Sequence, residues 1–328
     1  MPSISGPGKA QDELPMEKNE VSVEGGRGPW REGFHRLVKN RMALAGGIVI
    51  LTLTLIAIFA PLIAPYPYDK GNFIYNYAKP GAKYLLGADF MGRDVLSRLI
   101  YGTRISLSIG ILCALISFVI GVLYGTISGY YGGKIDNLMM RFVDISFAFP
   151  DMLFVILLMV VFRTSVAGLQ SHNAFIKAVG ALDNASGGML FILIGIGLTS
   201  WVSMARLARG MALAVREKEY IEAARALGLN DLRIMFRHVI PNIVGPCVIS
   251  VTLRIPSFIR TEAFLSFIGL GVNPPTPSWG MMIADGYKAL QAYPHLTIFP
   301  GLFLAITMLS FSSLGDGLRD ALDPRMKM

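Results

Sequence analysis

Three ionisable residues, Arg254, Arg260 and Glu262, lie in or beside one long apolar run of this chain. A charge in the hydrocarbon core of a bilayer costs at least about 2.5–3.5 kcal/mol, so such residues usually face a cavity or a partner. The chemistry they offer is recognition of charge, not bond making. Arg254 is the deepest of the three. Two readings stay open for the set: a translocation path, or internal ion pairs and charges that snorkel to the interface. Asp144 and Asp151 lie in another apolar run, near its ends or its kink, and carry no assignment.

The motifs of bond-making chemistry are missing. The chain has no H-E-x-x-H, no G-x-S-x-G and no P-loop. Its 4 histidines, His35, His172, His238 and His295, are scattered in loops or near helix ends. Its 2 cysteines, Cys113 and Cys247, each sit inside an apolar run with no C-x-x-C pair. No metal site is expected, and an intramembrane hydrolase has no nucleophile–base pair to work with. A self-sufficient secondary transporter often carries internal repeats with broken helices in matching positions, and no clear repeat is visible here.

A second constellation lies between two apolar runs. Residues 219–228 read as a short helix rich in Ala, Leu, Glu and Arg, all good helix formers. Tyr220, Ala224 and Leu227 fall on one face, with Ile221 beside them. Gly228 can take positive φ and turn the chain, and Pro241 marks entry into the next run. Nothing within the loop supplies a core for that face. The expectation is that another protein buries it; the competing reading is a helix lying on lipid headgroups.

The elements that must hold these residues are membrane spans. Of 328 residues 53% are hydrophobic and only 16% charged, whereas soluble domains carry about 25% charged residues. A helix needs about 20 apolar residues to cross a bilayer. Six spans are predicted: 43–64, 105–129, 142–162 with an interruption at Pro150 and Asp151, 189–207, 243–268 and 297–314. The first reads as an uncleaved anchor, being too late and too long for a signal peptide.

Residues 1–29 read as a disordered tail and 30–41 as an amphipathic helix at the membrane edge. Residues 42–65 form the first transmembrane segment and 66–104 an extracytoplasmic segment, with an interfacial helix at 92–101. Residues 105–318 form the transmembrane core, with the loop at 212–242 inside it, and 319–328 a short tail. Residues 269–294 are turn chemistry that either contacts a partner or forms a lid, with Trp279 placed in the aromatic belt.

The net charge of +8 comes from basic residues clustered beside spans. That fits the positive-inside bias, not nucleic acid. The dense basic stretch at 206–237 and the even number of spans put both termini in the cytosol. Gly121, Gly125 and Gly129 recur every four residues in the second span and bare one face of it. They serve either a contact between subunits or packing within the chain.

Glu222-Ala223-Ala224, then Gly228, then His238-Val239-Ile240-Pro241 resembles the E-A-A loop of ATP-binding-cassette importer permeases. The family usually has Ile at the position of His238. The segments Leu86-Gly87-Ala88-Asp89 and Gly92-Arg93-Asp94-Val95-Leu96-Ser97-Arg98 are similar to the C-type permease of the oligopeptide/dipeptide family. So is the ending Gly315-Asp316-Gly317-Leu318-Arg319-Asp320-Ala321-Leu322-Asp323-Pro324. Residues 171–187 look like an insertion relative to that family.

The resemblance implies an all-α integral membrane protein with about six transmembrane helices and a cytosolic coupling helix, the type I importer permease fold. It implies a non-catalytic, multi-pass subunit of the cell membrane that imports peptide, with glutathione or a nickel chelate as alternative substrates. The implied partners are a homologous B-type permease, two ATPase subunits and an extracytoplasmic binding protein, besides the lipid bilayer. ATP and Mg would be bound by the ATPases and no cofactor by this chain. Tyr220, Ile221, Glu222, Ala223, Ala224, Leu227, Gly228 and Pro241 would then form the ATPase-coupling site. Glu222 either pairs with the partner or fixes the helix within the loop.

Overall fold

The structure, a computed structural model, describes residues 35–167 and 174–322. The expected tail at 1–29, the first residues of the expected helix at 30–41, and positions 323–328 lie outside the described residues. Among the described residues the regular elements are helical, with a single isolated bridge between Ala88 and Asp94.

Asn40 caps α1 (Arg41–Ile58), its side chain accepting from the Met42 and Ala43 amides. The helix breaks at Phe59 and resumes for one turn, Ala60–Ile63. α2 (Val95–Tyr131) is a single helix of 37 residues, capped by Asp94, whose carboxylate accepts from the Ser97 amide at 2.8 Å. This corrects the interfacial helix expected at 92–101. Val95, Leu99 and Arg98 are buried, and the segment is the first turns of the span. The boundary expected at 104/105 falls inside α2.

α3 (Gly133–Ala148) and α4 (Asp151–Ala167) are bent by 81° at Phe149 and Pro150. Proline cannot donate to the ladder, and its ring clashes with the preceding turn. α5 (Ala174–Ala185) leads into α6 (Met189–Arg216). Then come α7 (Glu219–Ala226), a short turn at Asp231–Ile234, and a five-residue π-helical segment, Met235–Val239. α8 (Ile240–Phe267) carries Pro241 two residues after the π-helical segment, which runs into it without a break. α9 (Trp279–Tyr287) and α10 (His295–Leu322) complete the chain.

Five of these helices are long and apolar enough to cross a membrane, and the bent α3–α4 pair makes a sixth. That pair crosses: α3 begins beside the end of α2, whereas Phe162 in α4 stacks on Phe191 near the start of α6, at 5.1 Å. Consecutive crossings therefore alternate. The loop at 217–239 and both ends of the described chain lie at one end of the bundle. The opposite end is a cap made of residues 66–94 and 269–294.

The bundle closes by backbone approach. Cβ atoms added at Gly125 and Gly129 would sit 2.8 and 2.9 Å from the Ala208 and Ala212 side chains of α6, and one at Gly121 would meet Met204 at 2.5 Å. The contact made by this glycine face is thus within the chain. The main core joins α2, α4, α6 and α8 through Ile109, Cys113, Met159, Ile192 and Phe258. Trp279 is fully enclosed against Leu99 and Phe303. It is a core residue, a correction to the aromatic-belt expectation.

Candidate coupling site and membrane groove

α7 ends in a fully formed cap. Gly228 has φ 77° and its amide donates to Arg225 O at 2.9 Å, while the Leu229 amide donates to Ala224 O at 3.2 Å. This double closure is the Schellman arrangement, and its apolar clasp is Leu229 packed in the cluster that holds Ala224. A Cβ at Gly228 would meet nothing within 4 Å, so only its backbone conformation demands glycine.

α7 is fastened to the spans by its inner face. Ile221 is 0% and Ala224 6% exposed, both packed among Tyr130, Ala212, Ile234, Met235 and Val239. This corrects the expected contact face: two of its four members point into the protein, because α2, α6 and the π-helical segment supply the core that the loop itself lacks. The outward face is different. Tyr220 is 43% and Leu227 80% exposed, with Glu222 and Ala223 beside them in the open.

Three side chains tie the loop to the end of α2. The Tyr130 hydroxyl donates to Asp231 Oδ1 at 2.7 Å and accepts from Arg225 Nε at 3.4 Å. The Arg225 guanidinium also lies 5.0 Å from the Tyr130 ring centroid. The hydroxyl contact raises the Arg225 pKa above its ordinary value. Sequence reading missed Tyr130, because it stands 95 positions before Arg225 and carries no local signal. Nearby, Asp136 holds Arg209 through two contacts of 2.6 Å and accepts from Ser128, joining α3, α6 and α2.

The three membrane charges do not share one surface. Arg254, at the middle of α8, is half-buried and donates from Nη1 to Ser200 O at 3.2 Å. Arg260 is exposed and reaches Ser257 at 3.4 Å. Glu262 is fully enclosed, accepting from Ser266 at 2.7 Å and Ser106 at 3.1 Å. Ser278 continues that network to the Met281 amide at the start of α9. Glu262 thus faces neither a cavity nor an open surface; it pins the cap to α2 and α8.

The bend between α3 and α4 opens a groove of about 470 Å³, lined by Ile120, Phe142, Phe149, Asp151, Phe154, Thr199 and Trp201. Asp144 on α3 pairs with Arg206 at 2.9 Å, whereas Asp151 is exposed.

At the cap, Asp89 accepts from the Met91 and Arg93 amides at 2.9 and 3.0 Å and from Arg93 Nε at 2.7 Å, with Arg98 Nε at 3.5 Å. Burial raises the Asp285 carboxyl above its usual range, opposed by Arg98 and Lys288. Among the described residues no cluster of His, Cys, Asp and Glu has the makings of a metal site.

Residues 117–328 match the family model "Binding-protein-dependent transport system inner membrane component", and residues 28–80 match the "N-terminal TM domain of oligopeptide transport permease C". The chain is 40% identical to the oligopeptide transport system permease protein OppC of Bacillus subtilis, over 91% of this chain and 90% of that one. It is 39% identical to the glutathione transport system permease protein GsiD of Pectobacterium atrosepticum, over 92% and 93%. A chain of the inward-facing MetNI methionine ABC transporter superposes with a TM-score of 0.52 at 16% identity, covering 69% of this chain and 96% of that one. The fold is that of a type I ABC importer permease.

Proposed function

This chain belongs to the family of binding-protein-dependent transport system inner membrane components, and from that premise we propose that it forms half of the membrane pathway of an ATP-driven peptide importer. The two relatives described carry oligopeptide and glutathione in their names. Glutathione is itself a small peptide, so peptide is the substrate class they have in common.

The observation that carries the coupling role is the two-sided helix α7. Its inner face is locked to three elements of the bundle, and its outer face leaves Tyr220 and Leu227 in the open. A helix fastened to the spans yet presenting apolar groups outward is suited to transmit movement from a docked partner. The proposed partner on that face is a cytosolic ATPase subunit, which binds the ATP and Mg. A B-type permease completes the pathway, and an extracytoplasmic binding protein delivers substrate at the cap. With α7 in the cytosol, both termini are cytosolic as well. Arg254 is the proposed path residue and Arg260 a lesser one, while the enclosure of Glu262 argues for a structural role.

The test is reconstitution of the importer with a B-type permease, ATPase subunits and a binding protein. In a background lacking the native cysteines, a cross-linker on Ala226→Cys should capture an ATPase subunit. An impermeant thiol reagent added to intact cells should label Asn72→Cys and spare Asn230→Cys. Capture of lipid alone from Ala226→Cys would leave α7 as an interfacial anchor. Labelling of Asn230→Cys would reverse the orientation.

A further inference from the structure

Asp151 is the one groove-lining charge whose own chemistry is unspent. Its neighbour along the broken span, Asp144, is neutralised by Arg206 at 2.9 Å. Asp151 is exposed at the mouth of the groove and makes no hydrogen bond or ion pair among the described residues. Thr199 and Trp201, which line the groove together with Asp151, stand near the middle of the 28-residue helix α6, so the carboxylate is at mid-membrane depth. An exposed carboxylate there requires a water-lined cavity or a cationic occupant.

The walls of the groove fit one kind of occupant. Phe142, Phe149, Phe154 and Trp201 give apolar and aromatic contact that accepts varied side chains, and Asp151 gives one fixed anionic anchor. The groove opens where Pro150 breaks the span, and discontinuous helices at the midplane are where transporters place their sites. We propose that Asp151 is a substrate-binding residue of the pathway and receives the N-terminal ammonium of the translocating peptide. The inference rests on the peptide reading given above. It goes further in assigning the groove at the broken span, and a carboxylate outside the Arg254–Glu262 set, to recognition of the peptide's free amino end.

The experiment uses the complete importer in proteoliposomes, with trialanine and N-acetyl-trialanine each supplied at a concentration that saturates the binding protein. Asp151→Asn keeps the volume and removes the charge, and co-purification of the ATPases reports that the complex is intact. Trialanine uptake should fall about tenfold, the loss of one charge-assisted hydrogen bond. Asp151→Glu should restore most of it. Uptake of the acetylated peptide should be the same in wild type and Asp151→Asn. Equal losses for both peptides would overturn the proposal in favour of a packing role, such as burial of the groove by the partner permease. Unchanged uptake of both would overturn it outright. A wild-type complex whose ATPase is stimulated by the loaded binding protein but which accumulates neither peptide would defeat the peptide reading itself.

Discussion

At the cap, Asp89 gathers two amides and two guanidinium groups, and Glu262 gathers two serine hydroxyls, with every one of these carboxylate contacts inside the chain. At the opposite end, α7 is held by an apolar inner face and the Tyr130–Arg225–Asp231 tie, and its outer face is left open. At the cap the carboxylates are satisfied within the chain, whereas α7 presents an open apolar face. Buried polar networks cost a great deal when one member is lost. An exposed apolar face costs little until a partner covers it. Changes at the cap should therefore act on the fold, and changes on the outside of α7 on assembly.

The largest effect is expected from Asp89→Ala. It leaves Arg93 and Arg98, both nearly enclosed, without their shared carboxylate, at a cost of about 3–5 kcal/mol. Thermal unfolding of the purified permease should show a large drop, and a wild-type melting profile would break the account of the cap. Next is Ala224→Trp. The position is packed inside the loop cluster, so added volume costs about 1–3 kcal/mol and disturbs α7 from within. Both melting temperature and ATPase retention should fall.

Gly228→Ala comes third. The new Cβ meets no neighbour, so the cost is backbone strain alone, about 1–2 kcal/mol. Substrate-stimulated ATP hydrolysis should weaken while the complex still assembles. The smallest effect is expected from Tyr130→Phe, which removes one hydroxyl worth about 0.5–1.5 kcal/mol. It removes the hydroxyl contacts to Asp231 and Arg225 and leaves the guanidinium over the ring. Peptide taken up per ATP hydrolysed should fall with assembly unchanged, and an unaltered ratio would remove Tyr130 from the coupling route.

The spans were legible because uniform apolarity over a bilayer's width has few other solutions. The break at Pro150 was legible because proline allows little else there. The start of α2 was not. Arg98 reads as a membrane-edge charge until Asp89, from the loop before it, is seen to neutralise it. The helical period of α7 and the positive φ of Gly228 could be read locally. Which face of α7 is inside could not, because the core around Ile221 and Ala224 is supplied by Tyr130 and Ala212 from distant helices. Trp279 misled for the same reason: its burial depends on Leu99 and Phe303.

The central claim is that the outward face of α7 is an ATPase dock while its inward face is core, and two adjacent alanines separate these roles. Ala223 is exposed and Ala224 enclosed. The direct measurement is ATPase co-purification with Ala223→Trp, beside the thermal unfolding of the same permease. An unchanged melting temperature with the ATPase subunits lost is the predicted result. Full retention of the ATPases, with normal stimulation of hydrolysis by loaded binding protein, would contradict it.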